Sequence, residues 1–138
     1  SIKEQLKEVG ITVDLEIIEW ATWLSDVYTN RKYEASLAGL AGKMEPDAIL
    51  RRYTSTYAKN FTNFNNARYD MLIEEAKRTS NEAKQIENYK EAQKILAEEQ
   101  AAIFLMDPNT IIATEKGLEG FEFYPLPYFN FAKLYFKK

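Results

Sequence analysis

Two pairs of neighbouring acids, Glu45 with Asp47 and Glu74 with Glu75, come nearest in this sequence to a catalytic or cation-binding pair. Paired carboxylates serve as acid and base in hydrolysis or as ligands for a hard cation. Neither pair sits in a recognised pattern such as D-x-D-x-D-G. Glu45 and Asp47 flank Pro46 in a turn-rich stretch, and Glu74 and Glu75 lie on the polar face of a helix. The chain holds no His and no Cys, which removes imidazole acid/base work, thiolate nucleophiles, the usual zinc sites and Ser-His-Asp machinery together. The sequence assigns no catalytic residue, no metal ligand and no cofactor.

Binding is better served than catalysis. Residues 33 to 40 read as a strand with very little bulk at Ala35, Ser36, Ala38 and Gly39, running into the turn-rich Ala41-Gly42-Lys43-Met44-Glu45-Pro46-Asp47. Ligands collect beyond the carboxyl ends of strands in open αβ sheets, and a strand without bulk can pair with an extended ligand main chain. The same residues could equally let a helix pack close, and both readings stand at this level. Trp20 and Trp23, three apart on a helix, could wall an apolar pocket, although such a stripe is more often core. The tail is crowded with Phe121, Phe123, Tyr124, Tyr128, Phe129 and further aromatics, too many for a small surface.

At 138 residues and 46% hydrophobic content, one domain with a real core is expected. The 18 basic and 21 acidic residues are well mixed, giving net charge −3 and no basic stripe for a phosphate backbone, so nucleic acid is not an expected partner. No apolar run reaches the roughly 18 residues of a membrane span. The chain begins without Met and inside a helix pattern, so it is expected to be a piece of a longer protein.

Ile2, Leu6 and Val9 predict a helix over 2–9, closed by Gly10. Ile11, Val13, Leu15 and Ile17 alternate with polar residues and predict a strand. Helical spacing returns from Trp20 to Val27 and stops at Asn30-Arg31-Lys32. Pro46 opens a short helix to about Tyr53, and the Asn-rich stretch 54–66 reads as a loop. A helix over 67–78 and another opened by a Thr79–Glu82 capping box, with Ile86, Tyr89, Ala92 and Leu96 as its stripe, should pack as a hairpin. Residues 101–106 and 110–114 read as strands around Asp107-Pro108-Asn109. The tail, built around Pro125 and Pro127, ends in a strand at 131–136.

Four blocks, in order, carry a family resemblance. Leu6-Lys7-Glu8-Val9-Gly10-Ile11-Thr12-Val13-Asp14-Leu15 with Glu19-Trp20-Ala21-Thr22-Trp23-Leu24 is the first, and Tyr33 to Pro46 the second. Asn63 to Ala76, which follows a "Y-x-N-P-x-Y-D-x-L-I-x-x-A" segment, is the third, and Tyr89 to Glu99, which follows "Y-x-E-A-Q-K-I-L", the fourth. Together they resemble the oligopeptide-, dipeptide- and nickel-binding receptors of ABC importers over nearly the whole chain.

The resemblance implies an α/β (α+β mixed) fold, a mixed sheet flanked by helices. It would form part of the second lobe of a two-lobed, type II periplasmic-binding architecture. It implies a non-catalytic, extracytoplasmic receptor, in a periplasm or on a cell surface, that captures a peptide and delivers it to permease subunits. Contact with the membrane would run only through the permease or a lipid anchor on the missing N-terminus. Expected ligand-binding residues are Ala38, Gly39, Leu40, Ala41, Lys43, Glu45, Asp47 and Trp20. Two departures matter: Leu40 stands where relatives often have Trp, and Gly42 or Lys43 falls where an Asp anchors the ligand's amino terminus. A cation there does not hold an ammonium, so Glu45 or Asp47 would have to substitute. Without His, a nickel complex loses its most plausible protein ligand in this portion.

The alternatives are a receptor for a non-peptide solute (a nickel chelate, a glutathione-like molecule or a sugar), a partner-binding αβ domain that uses the aromatic tail, and, weakest, a carboxylate hydrolase. A piece of such a receptor is expected to expose apolar surface and to dimerise through it.

Overall fold

A computed structural model describes residues 1–124 and 128–137. Pro125 and Pro127, around which the tail was expected to turn, lie outside the described residues. The chain divides into two compact units, Ser1–Leu37 and Ala38–Lys138.

The first unit opens with α1, Ile2–Glu8, held by a reciprocal capping box in which Ser1 and Glu4 satisfy each other's backbone N–H groups. Its end is closed as expected. Gly10 takes φ +84°, its N–H bonds to the Lys7 carbonyl at 3.1 Å, and the Ile11 N–H bonds to the Leu6 carbonyl at 2.9 Å. This pair of bonds is a Schellman closure, which needs a left-handed residue and so favours glycine. Residues 20–29 are helical, but only Trp20–Thr22 (α2) is α; Trp23–Thr29 is a π-helix. The Thr29 hydroxyl donates to the Leu24 carbonyl at 2.8 Å, five residues back, reinforcing the wider turn.

The strands expected at 11–17 and 33–40 do not form, nor do those at 101–106 and 110–114. Alternation of apolar residues gives a strand one sticky face. A ladder also needs a second backbone to satisfy its N–H and C=O groups, and among the described residues none lies alongside. Ile17 is consequently 98% exposed, and Leu15, Leu37, Ile103, Met106 and Ile111 are exposed with it.

The second unit is built on α4, Ala67–Arg78, and α5, Glu82–Glu98, the expected hairpin. Tyr69, Leu72, Ile73 and Ala76, spaced i, i+3, i+4, i+7, meet Tyr89, Ala92 and Leu96, and Leu50 of α3 (Pro46–Leu50) completes the core. Two local expectations are corrected. Asn81, not Thr79, caps α5, accepting from the Lys84 N–H at 3.0 Å, while Thr79 terminates α4. Ile86 is exposed and Asn88 is buried in its place, because the centre of the contact runs along 85, 89, 92 and 96. Ion pairs between Arg68 and Glu91 (3.0 Å) and between Lys84 and Glu75 (3.8 Å) border the hairpin.

The loop 54–66 is organised by one buried side chain. The Asn60 amide donates to the carbonyls of Thr54 (3.1 Å) and Phe64 (2.8 Å), and its oxygen accepts from Thr62 (2.9 Å). Beyond α5 the regular β structure is a two-residue antiparallel ladder, β1 (Leu118–Glu119) with β2 (Tyr135–Phe136). Phe131–Lys133, expected within the final strand, forms a 3-10 turn instead, capped by Asn130. The described residues are thus of mixed α and β class. None of their helices is long and apolar enough to cross a membrane.

Candidate ligand-binding site

Residues 38–45 run without regular secondary structure apart from bends at Met44 and Glu45. Ala38, Gly39, Ala41, Lys43 and Glu45 are exposed, and Leu40 is 44% exposed. A Cβ added at Gly39 or at Gly42 would meet nothing within 4 Å. Among the described residues, therefore, no helix rests on these glycines.

The two acids that follow have different surroundings. Glu45 takes the N-cap position of α3 with extended backbone (φ −102°, ψ 127°), and its side chain makes no capping bond and faces solvent. Pro46 occupies the first turn, where its missing N–H costs nothing. One turn on, the Asp47 side chain is only 21% exposed, and its Oδ2 lies 3.9 Å from Arg51. Its Oδ1 is buried without a hydrogen-bond partner among the described residues, and so is the Asn88 Nδ2 of α5. The Arg51 guanidinium also lies over the Tyr57 ring, 5.9 Å from its centroid. Burial pushes the Tyr89 hydroxyl above its ordinary range, and the negative charge of Asp47 adds to the effect. Asp47 is thus turned towards the helices, whereas Glu45 is open.

Trp20 belongs to the first unit. Its indole stacks on that of Trp23, with centroids 4.8 Å apart and planes 5° from parallel, and Trp23 stacks in turn on Tyr28 at 5.7 Å. Trp23 is 6% exposed and its Nε1–H donates to the Ser36 hydroxyl at 2.9 Å, while Trp20 is 56% exposed. The sequence showed both indoles but not Ser36 or Tyr28. A serine thirteen residues away carries no periodic signal, and Tyr28 is set by the π-helical turn.

The second acid pair is occupied. Glu74 binds Lys77 (3.0 Å) and Arg78 (3.6 Å), and Glu75 binds Lys84 (3.8 Å). Among the described residues no group of three or more His, Cys, Asp or Glu could hold a metal ion.

No family model matches the chain. The oligopeptide-binding protein AppA of Bacillus subtilis is 30% identical over 127 residues, covering 90% of this chain and 23% of AppA. The peptide transport periplasmic protein SapA of Haemophilus influenzae is 27% identical, covering 98% of this chain and 25% of SapA. Among solved structures, the periplasmic murein tripeptide-binding protein MppA in its unliganded open form matches with a TM-score of 0.57 and 25% identity, over 72% of this chain and 20% of MppA. The chain belongs to the peptide-binding family of extracytoplasmic solute-binding proteins, and it spans about a quarter of the length of the curated relatives it matches.

Proposed function

We propose that this chain is part of the second lobe of a receptor that captures peptides outside the cytoplasmic membrane and delivers them to the permease of an ABC importer. The observation that carries the reading is likeness along 90% of the chain to an oligopeptide-binding protein. The binding role falls on residues 38–47. The backbone of residues 38–44, exposed, low in bulk and, among the described residues, in no ladder, offers N–H and C=O groups to an extended peptide, which main-chain recognition requires. Glu45, exposed and uncommitted, is the acid of this loop best placed to meet a ligand ammonium. Lys43 and the half-buried Asp47 are less suited. The protein works by binding and lobe closure, without catalysis.

The test is a calorimetric and thermal-shift screen of the full-length receptor carrying this sequence, against di-, tri- and oligopeptides, glutathione and nickel chelates. Stabilisation by peptides alone, weakened by bulky replacement of Ala38 or Gly39, is expected. Stabilisation by a nickel chelate and by no peptide would overturn the reading.

A further inference from the structure

Unit 1 presents an aromatic platform whose orientation is fixed from below. Trp23 is buried and tethered through its Nε1–H to Ser36. A second indole, Trp20, lies flat on it and leaves more than half of itself to solvent. Stacking between two nearly parallel rings holds the outer ring in one plane, so a group landing on Trp20 meets a preorganised π-face rather than a free rotor. The sequence on either side of it carries charge of one sign, bounded by Lys7 and by Arg31-Lys32. Residues 8–30 contain Glu8, Asp14, Glu16, Glu19 and Asp26 and no Lys or Arg. Glu16 and Glu19, on either side of the two residues before the platform, are exposed and make no ion pair among the described residues. A π-face carries a negative quadrupole and attracts cations, and neighbouring carboxylates strengthen that attraction while penalising an anionic or acidic side chain.

We propose that Trp20, stacked on Trp23 and preceded in sequence by the exposed Glu16 and Glu19, is a recognition site for a cationic peptide side chain, with the planar arginine guanidinium as its best occupant. Arginine is favoured over lysine because its flat guanidinium can stack on the indole while its N–H groups reach carboxylates, whereas an ammonium remains more strongly hydrated. The inference deepens the peptide reading and rests on it. It makes the substrate class basic peptides, a preference that residues 38–47 do not specify.

Trp20 and Trp23 are the chain's two tryptophans, so the indole N–H resonances report on this platform alone. The 138-residue chain is titrated with acetyl-Ala-Arg-Ala-amide and with the neutral isostere acetyl-Ala-citrulline-Ala-amide, following those resonances and the Gly39 and Gly42 amides. The arginine peptide is expected to shift the indole signals at concentrations about fivefold lower than citrulline, as an exposed cation–π contact allows. The preference is expected to shrink with added salt and to be lost in Trp20→Ala and in the Glu16→Gln/Glu19→Gln double variant. Equal responses to the two peptides overturn the cationic preference. Shifts at Gly39 and Gly42 with none at the indoles overturn the platform and leave the peptide reading standing. Silence at every signal up to millimolar peptide overturns the inference, and the full-length screen then decides the peptide reading separately.

Discussion

The Tyr69 hydroxyl donates a 2.6 Å hydrogen bond to the backbone carbonyl of Leu50, joining the buried face of α4 to the end of α3. Both groups are buried, so the bond does more than add its own energy: it satisfies a carbonyl that no water can reach. It also fixes the helix on which Asp47 is carried. Tyr69→Phe removes the donor and leaves the ring, stranding the Leu50 carbonyl. The expected loss is about 1–3 kcal/mol of stability, read as a lower urea midpoint with unchanged slope. A midpoint equal to the parent's would mean that the carbonyl finds another partner.

The same buried hydroxyl gives stability a direction in pH. Burial first, and then the nearby Tyr53, Asp70 and Asp47, raise the ionisation of Tyr69 well above its ordinary 10.0. The folded state therefore holds this proton where the unfolded chain has released it. The stabilisation is complete below pH 10 and declines as pH rises beyond it. Thermal melts from pH 8 to 11.5 should show falling stability above about pH 10, with a shallower fall in Tyr69→Phe than in the parent. A parallel decline in the two proteins would assign the alkaline loss to other groups.

What could be read from the sequence divides along a physical line. The α4–α5 hairpin, the Gly10 closure and the Pro46 helix start were all legible, because their signals are local: a period of 3.6, a capping glycine, a proline in the first turn. The strands at 11–17 and 33–40 were not realised, because a strand is a relation between two segments and these have no ladder partner among the described residues. Residues 38–47 were legible as small and turn-rich. Which of the two acids faces solvent was not, since that depends on how α3 lies against α4 and α5. The stacking of Trp20 on Trp23 follows from a three-residue spacing, but the tether to Ser36 does not.

Asn60 offers a test of the loop that precedes α4. Its amide bonds carbonyls on both sides of the loop, and its oxygen takes the Thr62 hydroxyl. Asn60→Ala should cost about 2 kcal/mol, mostly by leaving buried carbonyls unpaired. Faster amide exchange should be confined to residues 54–66. Exchange unchanged in that window would show that the loop is held by other contacts.

Gly120 is the one glycine whose side-chain space is filled by backbone. An added Cβ would fall 1.9 Å from the Lys133 carbonyl oxygen, and its φ of +84° is itself unfavourable for other residues. Gly120→Ala cannot be accommodated without moving the backbone, so the β1–β2 ladder should separate, with a strain of about 1–3 kcal/mol. The Glu122–Lys133 ion pair, 2.8 Å in the parent, should be lost with it. The readout is loss of cross-strand nuclear Overhauser effects between Leu118 and Phe136 while the α4–α5 signals stay in place. Preserved cross-strand contacts would mean that the hairpin tolerates the displacement.

Gly39 behaves in the opposite way, and the contrast separates a folding role from a binding role. Nothing lies within 4 Å of a Cβ placed there, and its φ is outside the left-handed range. Gly39→Val should therefore leave the stability of this chain within about 0.5 kcal/mol of the parent, as an exposed substitution without strain does. If residues 38–47 hold the peptide main chain as proposed, the same valine in the full-length receptor would stand in the path of an extended ligand backbone. Peptide affinity is expected to fall at least tenfold, which corresponds to about 1.4 kcal/mol, with no change in the melting temperature of the ligand-free protein. Unchanged affinity would remove this segment from the site. A lowered melting temperature without ligand would instead mean that the glycine is small because the complete receptor packs another element against it.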